Sequence, residues 1–119
     1  MQVINLNQKF SLFNEHWSPK IIGELNGQAI KLAKVKGEFV WHNHQEEDEL
    51  FFVIKGKLKI EFADKTVEIN EGEMIIVPKG VEHKPVAEEE VLLMLFEPYT
   101  IKHTGEVKSE LTVETCERI

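Results

Sequence analysis

Cysteine is almost absent from this chain: Cys116 is the only one in 119 residues, so neither a disulfide framework nor a paired-cysteine zinc knuckle can be built within it. A lone, partly buried thiol is its expected state. Serine is scarce as well, and none of Ser11, Ser18 and Ser109 sits in the strand-turn-helix context of a nucleophile elbow, which leaves a serine hydrolase without support. Positive charge is the minority sign, with 14 Lys and Arg against 21 Asp and Glu and a net charge of −7. No basic stretch is interleaved with aromatics, so no nucleic-acid partner is expected. Long apolar runs are missing too: nothing approaches the ~18 residues of a membrane span, and "MQVINLNQKF" lacks the basic-then-apolar pattern of an export signal. These absences predict a soluble, cytoplasmic protein with no membrane partner.

What is present reads as an all-β protein. The length suits one domain, residues 1–119, with a real hydrophobic core. Apolar residues alternate with polar ones or form short runs rich in Val, Ile and Phe, and helical spacing is rare. Asn26-Gly27 separates "KIIGEL" from "QAIKLAKV" and supplies the positive φ angles of a tight hairpin. "KLKIEF" turns Leu58, Ile60 and Phe62 to one face, and Ala63-Asp64-Lys65 turns the chain into "TVEI". Asn70-Glu71-Gly72 leads into "EMIIVP", Pro78-Lys79-Gly80 closes that strand, and Glu88 to Glu90 divides "HKPVA" from "VLLMLFE". Short strands at this spacing predict a sandwich or small barrel. "LFFVI" and "VLLMLF" are apolar on both faces and need cover outside as well as inside. The N-terminal residues Phe10, Leu12, Phe13 and Trp17 can supply it, or a second subunit can, and a homodimer is the expectation.

The chemistry concentrates in "WHNHQEEDELFFVIKG", residues 41–56. His42 and His44 are two apart, so in an extended strand both imidazoles point to one face and can reach one ion. Glu49 begins the following strand with the parity of Phe51 and Val53, and it faces inward beside both histidines if its strand pairs with theirs. Glu46, Glu47 and Asp48 read as solvated turn charges, with Asp48 a candidate for contact with a ligand residue. A third imidazole, His83, follows a different turn. Strict alternation backward from His42 sends Val40, Glu38 and Lys36 inward and Phe39 and Trp41 outward. A bulge near Gly37 that resets the parity is the competing reading. Met74, Ile76, Met94 and Phe96 are candidate cavity or core residues, whereas His16 and His103 lie outside the pattern, at the surface or behind a ligand.

The spacing runs Gly37, four residues, His42-Asn43-His44, four residues, Glu49, six residues, Gly56; then fifteen residues, Gly72, five residues, Pro78-Lys79-Gly80, two residues, His83. This resembles the paired motifs of the cupin superfamily, in its small single-domain, mannose-6-phosphate-isomerase-like form, over about residues 30–97. Two departures are local: four residues rather than five separate Gly37 from His42, and Ala87 stands where an asparagine is common. The resemblance implies a double-stranded β-helix, or jelly-roll barrel, with core motifs at 37–56 and 72–83. It also implies one divalent metal ion held by His42, His44, Glu49 and His83. A mixed imidazole and carboxylate set suits iron, manganese, nickel, copper or zinc. Among relatives the implied function is a metal-dependent enzyme on a small molecule, of dioxygenase or sugar-isomerase type. The alternative is a cupin that binds or senses a small molecule without turning it over. A phosphosugar isomerase needs a basic pocket, for which only Lys36 and Lys79 can be nominated.

Overall fold

In the computed structural model, which describes residues 1–119, one short helix precedes eight strands. Helix α1 (Leu6–Phe10) is followed by β1 (Lys20–Leu25), β2 (Gln28–Glu38), β3 (Glu49–Lys55) and β4 (Leu58–Glu61). Then come β5 (Thr66–Ile69), β6 (Met74–Val77), β7 (Lys84–Pro98) and β8 (Glu117–Arg118). The fold is all-β and jelly-roll in type. Its strands run β5-β4-β7-β2-β1-β8, with β3 pairing both β7 and β6 and no hydrogen-bonded closure between the edges. No helix is long and apolar enough to cross a membrane.

Local chemistry explains most of these elements. Asn26 and Gly27 adopt φ of 52° and 79°, the left-handed pair that joins β1 and β2 as the hairpin reading required. Along β3 the alternation is clean, with Glu49, Phe51 and Val53 buried and Leu50, Phe52 and Ile54 half-buried on the other face. Inner-face residues of β2, β3, β4 and β7, among them Val35, Val53, Leu58, Ile60 and Leu93, form the main core. Phe10 and Phe13 pack outside the sheet on Leu32, Ile54, Leu92 and Met94, so the N-terminal segment covers part of the outer face as expected. Leu12 stays exposed, and Trp17 instead enters the interior, where it stacks on Phe39 with ring centroids 4.7 Å apart.

Three sequence expectations are corrected. Glu88 to Glu90 do not divide two strands, because β7 runs through them. Val35 pairs with Val91 and Gly37 with Ala87, so three residues of β7 stand opposite Lys36 alone. This bulge falls where β7 changes partner, from β4 at residues 84–86 to β3 at residues 92–96. Lys36 and Glu38 do not face the interior: both are exposed, and Glu38 pairs with Lys84. Val35 and Phe39 are the inward residues there, so the parity change falls after β2 ends at Glu38, not at Gly37. Met74 and Ile76 face outward, 55% and 53% exposed, and Met94 and Phe96 are half-buried on that same outer face.

Candidate metal centre

Four side chains from three separate segments meet inside the barrel. His42 and His44 flank Asn43 on the connection between β2 and β3, Glu49 opens β3, and His83 immediately precedes β7. The histidine pair does not pair with β3, whose partners are β6 and β7. His42 bonds instead to His83, backbone to backbone in both directions, at 3.0 and 2.9 Å. That reciprocal bridge locks two parts of the chain 41 residues apart into one register. The His42 ring lies 4.4 Å from His83 and 5.0 Å from His44, centroid to centroid. Exposures of 2% (His42), 4% (His44), 7% (Glu49) and 1% (His83) place all four in the interior. One ligand atom from each lies within 4.8 Å of the others, a group that could hold a metal ion.

The hydrogen bonding around the group prepares lone pairs for such an ion. Nδ1 of His42 donates to the Val40 carbonyl and Nδ1 of His83 to the Val81 carbonyl, each at 2.9 Å. A carbonyl can only accept, so the hydrogen of each neutral ring sits on Nδ1 and Nε2 offers a lone pair. Nε2 of His44, Nε2 of His83 and Oε1 of Glu49 are buried without a hydrogen bond, a condition that costs ~1–3 kcal/mol per group in an interior. Glu49 Oε1 lies 3.4 Å from His44 Nε2 and 3.5 Å from His83 Nε2. Donor atoms about 2.1 Å from a shared ion are roughly 3–3.5 Å apart at ordinary coordination angles. The residues therefore fit a divalent metal.

Protonation favours the same use. Burial, with the neighbouring His83 ring, lowers His42 to about 4, so its ring is neutral at pH 7. Burial alone would raise the Glu49 carboxyl; the polar groups of Glu97, His44 and His83 that face it outweigh that and hold it well below the usual carboxylate range. Glu97 moves the other way, driven well upward by burial and then by the charge of Glu49, against the opposing pull of Lys31. Lys31 Nζ meets Glu97 Oε1 at 2.8 Å, while Oε2 of Glu97 lacks a partner.

Sequence reasoning missed Lys31 and Glu97, though a signal was present. Each sits at an inward position of a buried strand, Lys31 between Ala29 and Ala33 and Glu97 beyond Leu93 and Leu95. A charge at an interior position calls for a partner, and these two have opposite signs. His103 was placed at the surface or behind a ligand; it is half-buried, with its ring 5.0 Å from that of Phe39, and burial lowers it to about 4. His16 is exposed and pairs with Glu90 at 2.7 Å. Asp48 touches no ligand; it accepts from the Lys79 N–H at 2.9 Å and so clips the turn before His83 to the loop before Glu49. Glu46 is exposed and Glu47 half-buried at the protein surface, and Cys116 is half-buried.

A jelly-roll sheet enclosing three imidazoles and a carboxylate defines a class of protein by itself, and comparison with known sequences agrees. The chain belongs to the cupin family: residues 30–99 match the family described as "Cupin domain". A cupin-2 domain-containing protein of Shewanella frigidimarina is 56% identical, with a TM-score of 0.80 over 81% of this chain and 94% of its own. Protein NMB1881 of Neisseria meningitidis is 38% identical, with a TM-score of 0.75 over 82% of this chain and 99% of its own. YdbB of Bacillus subtilis is 41% identical over 64 residues, 53% of this chain. The chain thus spans only 57% of YdbB.

Proposed function

We propose that this chain is a divalent-metal-dependent cupin enzyme acting on a small molecule, with His42, His44, Glu49 and His83 as the metal ligands. One observation carries the reading: buried Nε2 and carboxylate oxygen atoms converge on a common point without hydrogen bonds among the protein's own groups. Four protein ligands leave a position for substrate on a five- or six-coordinate ion, which suits iron, manganese, nickel, copper or five-coordinate zinc. When bound, such an ion supplies Lewis acidity or, if redox-active, the dioxygen chemistry of a dioxygenase. The chain's own contribution is to hold a neutral His42 ring, the buried Nε2 atoms of His44 and His83 and an anionic Glu49 ready in its interior.

The whole chain, 1–119, serves as one unit in this reading, since segments before and after the matched region pack on the same barrel. A homodimer is supported by the outer face of β6 and β3, where Met74, Ile76, Leu50 and Phe52 adjoin without cover from α1. A cytoplasmic setting suits an unpaired Cys116.

Metal analysis of the native protein beside a His42→Ala/His44→Ala variant tests the site. The native chain should retain about one divalent ion and the variant none; equal content in the two would end the metal reading. With metal in place, oxygen-uptake and isomerase assays separate the two enzyme types, and metal binding without turnover of any class would leave a sensing cupin.

A further inference from the structure

Each ligand of a metal centre is ordinarily held by a further group behind it. The rings of His42 and His83 have theirs, the Val40 and Val81 carbonyls at 2.9 Å. Glu49 has no hydrogen bond at Oε1, so its neighbours across the sheet decide what can hold it. On one side β6 sets Val77 opposite Glu49, and Val77 offers only hydrocarbon. On the other, β3 and β7 pair Val53 with Leu93, Phe51 with Leu95 and Leu50 with Phe96. One more step in that register sets Glu49 opposite Glu97, and both are buried. Directly opposed residues on one face of an antiparallel pair have Cβ atoms ~4.5–5.5 Å apart, so the two carboxyl groups face each other.

Two acidic side chains opposed inside a barrel are an unfavourable pair, and Lys31 shows how Glu97 is kept there. Strand β2 places Ala29 opposite Glu97. Lys31, two residues along on the same face, reaches diagonally to Glu97 Oε1 at 2.8 Å. Oε2 of Glu97 stays buried without a hydrogen bond, as do Oε1 of Glu49 and Nε2 of His44 and His83, and no other buried side-chain nitrogen or oxygen does. The unpartnered atoms of the interior thus belong to the ligand group and to Glu97. Glu97 is not among the residues whose ligand atoms lie within 4.8 Å of one another, so it stands behind Glu49 and is not a fifth ligand. Two apolar residues would fill the place of a buried acid–lysine pair at no loss of stability, which leaves the pair to be explained by what it faces.

We propose that Glu97 is a positioning residue of the metal centre, holding the Glu49 carboxylate in its ligating place from the opposite strand, and that Lys31 anchors Glu97 for that task. This role rests on the metal-centre reading and adds two residues to it that lie outside the motif spacing. Lys31 and Glu97 touch no ion themselves. They act through Glu49, as the Val40 and Val81 carbonyls act through His42 and His83.

Cobalt(II) tests this role, because its visible bands report ligand geometry and its uptake needs no substrate. The metal-free full chain, Glu97→Gln, Glu97→Ala and Lys31→Met/Glu97→Leu are each titrated with cobalt(II), and urea unfolding of each checks the fold. The double variant, which refills the pair with hydrocarbon, should unfold near the native midpoint yet bind cobalt roughly ten- to a hundredfold more weakly, with shifted bands. Glu97→Ala, which opens space instead of refilling it, should show the same weakening and the same shift. Glu97→Gln, which keeps an oxygen for Lys31 and a polar group facing Glu49, should recover most of the affinity and the native bands. A pair that serves the fold alone would move the urea midpoint and leave the bands where they were. Native affinity and native bands in a folded double variant or in Glu97→Ala would overturn the inference, as would a Glu97→Gln no better than either. A native chain that takes up no cobalt ends the metal reading and this role with it, whereas equal uptake by native and variant chains ends only the role of Glu97.

Discussion

Lys31 and Glu97 meet inside the barrel with exposures near zero, and their pairing governs what a single substitution does. Replacing Lys31 by Met strands Glu97 beside the Glu49 carboxylate, and breaking a buried pair from one side costs roughly 3–5 kcal/mol. Urea unfolding of Lys31→Met should show a loss of that order, and the Lys31→Met/Glu97→Leu double variant should recover most of it. A single-variant cost no larger than that of a surface lysine would mean the pair is not structural. The imidazoles give a pH dependence of definite sign. Burial lowers His42 and His103 to about 4, from the ordinary 6.5. As pH falls from 6.5 towards about 4, the unfolded chain takes up protons that the folded chain refuses, so stability is lost across that window. The unfolding midpoint of metal-free protein should drop through it, and His103→Phe should flatten the drop.

At the scale of elements, the segment after β7 depends on one glycine. Gly105 has φ of 60° and no room for a Cβ against Asn43. A left-handed non-glycine residue costs roughly 1–3 kcal/mol, and the clash adds to it. Gly105→Ala should therefore speed hydrogen exchange across residues 99–116 while β2, β3 and β7 keep their protection. Uniform loss of protection would show instead that the segment and the barrel open together. Strand β7 shows why element boundaries were harder to read than element content. "HKPVA" and "VLLMLFE" look like two strands around three glutamates, and locally that is a sound inference. The glutamates remain in strand because β7 needs extra length to bend from β4 to β3, a requirement set by strands distant in sequence. By contrast "KIIGEL" and "TVEI" coincide with β1 and β5, since a tight turn and strict alternation bound them from within.

For the whole molecule, the proposed ion and the proposed dimer each carry an expectation. A ligand that binds only the folded chain stabilises it by about 2.7 kcal/mol at a hundredfold excess over Kd. Chelation should accordingly lower the melting temperature of native protein and leave the His42→Ala/His44→Ala variant unmoved. The uncovered outer face of β6 and β3 sets the second expectation. Met74→Lys/Ile76→Lys should convert a dimer to a monomer in sedimentation without lowering zinc uptake, because neither side chain faces the interior. A dimer that survives both lysines would place the interface elsewhere.

Sequence alone determined the strand-rich class, the hairpin at Asn26-Gly27 and the common facing of Glu49, Phe51 and Val53, because alternation and turn chemistry act between near neighbours. The motif spacing resembled a cupin and so pointed to His42, His44, Glu49 and His83 before any coordinates. Tertiary structure decided which chain segments meet. It put His42 against His83 rather than against β3, turned Lys36 and Glu38 outward, and brought Lys31 to Glu97 and His103 to Phe39. Each of those outcomes depends on backbone pairing between residues far apart in the chain. Side-chain parity cannot be carried across the break after β2, and a buried charge reveals its partner only when two strands are set in register.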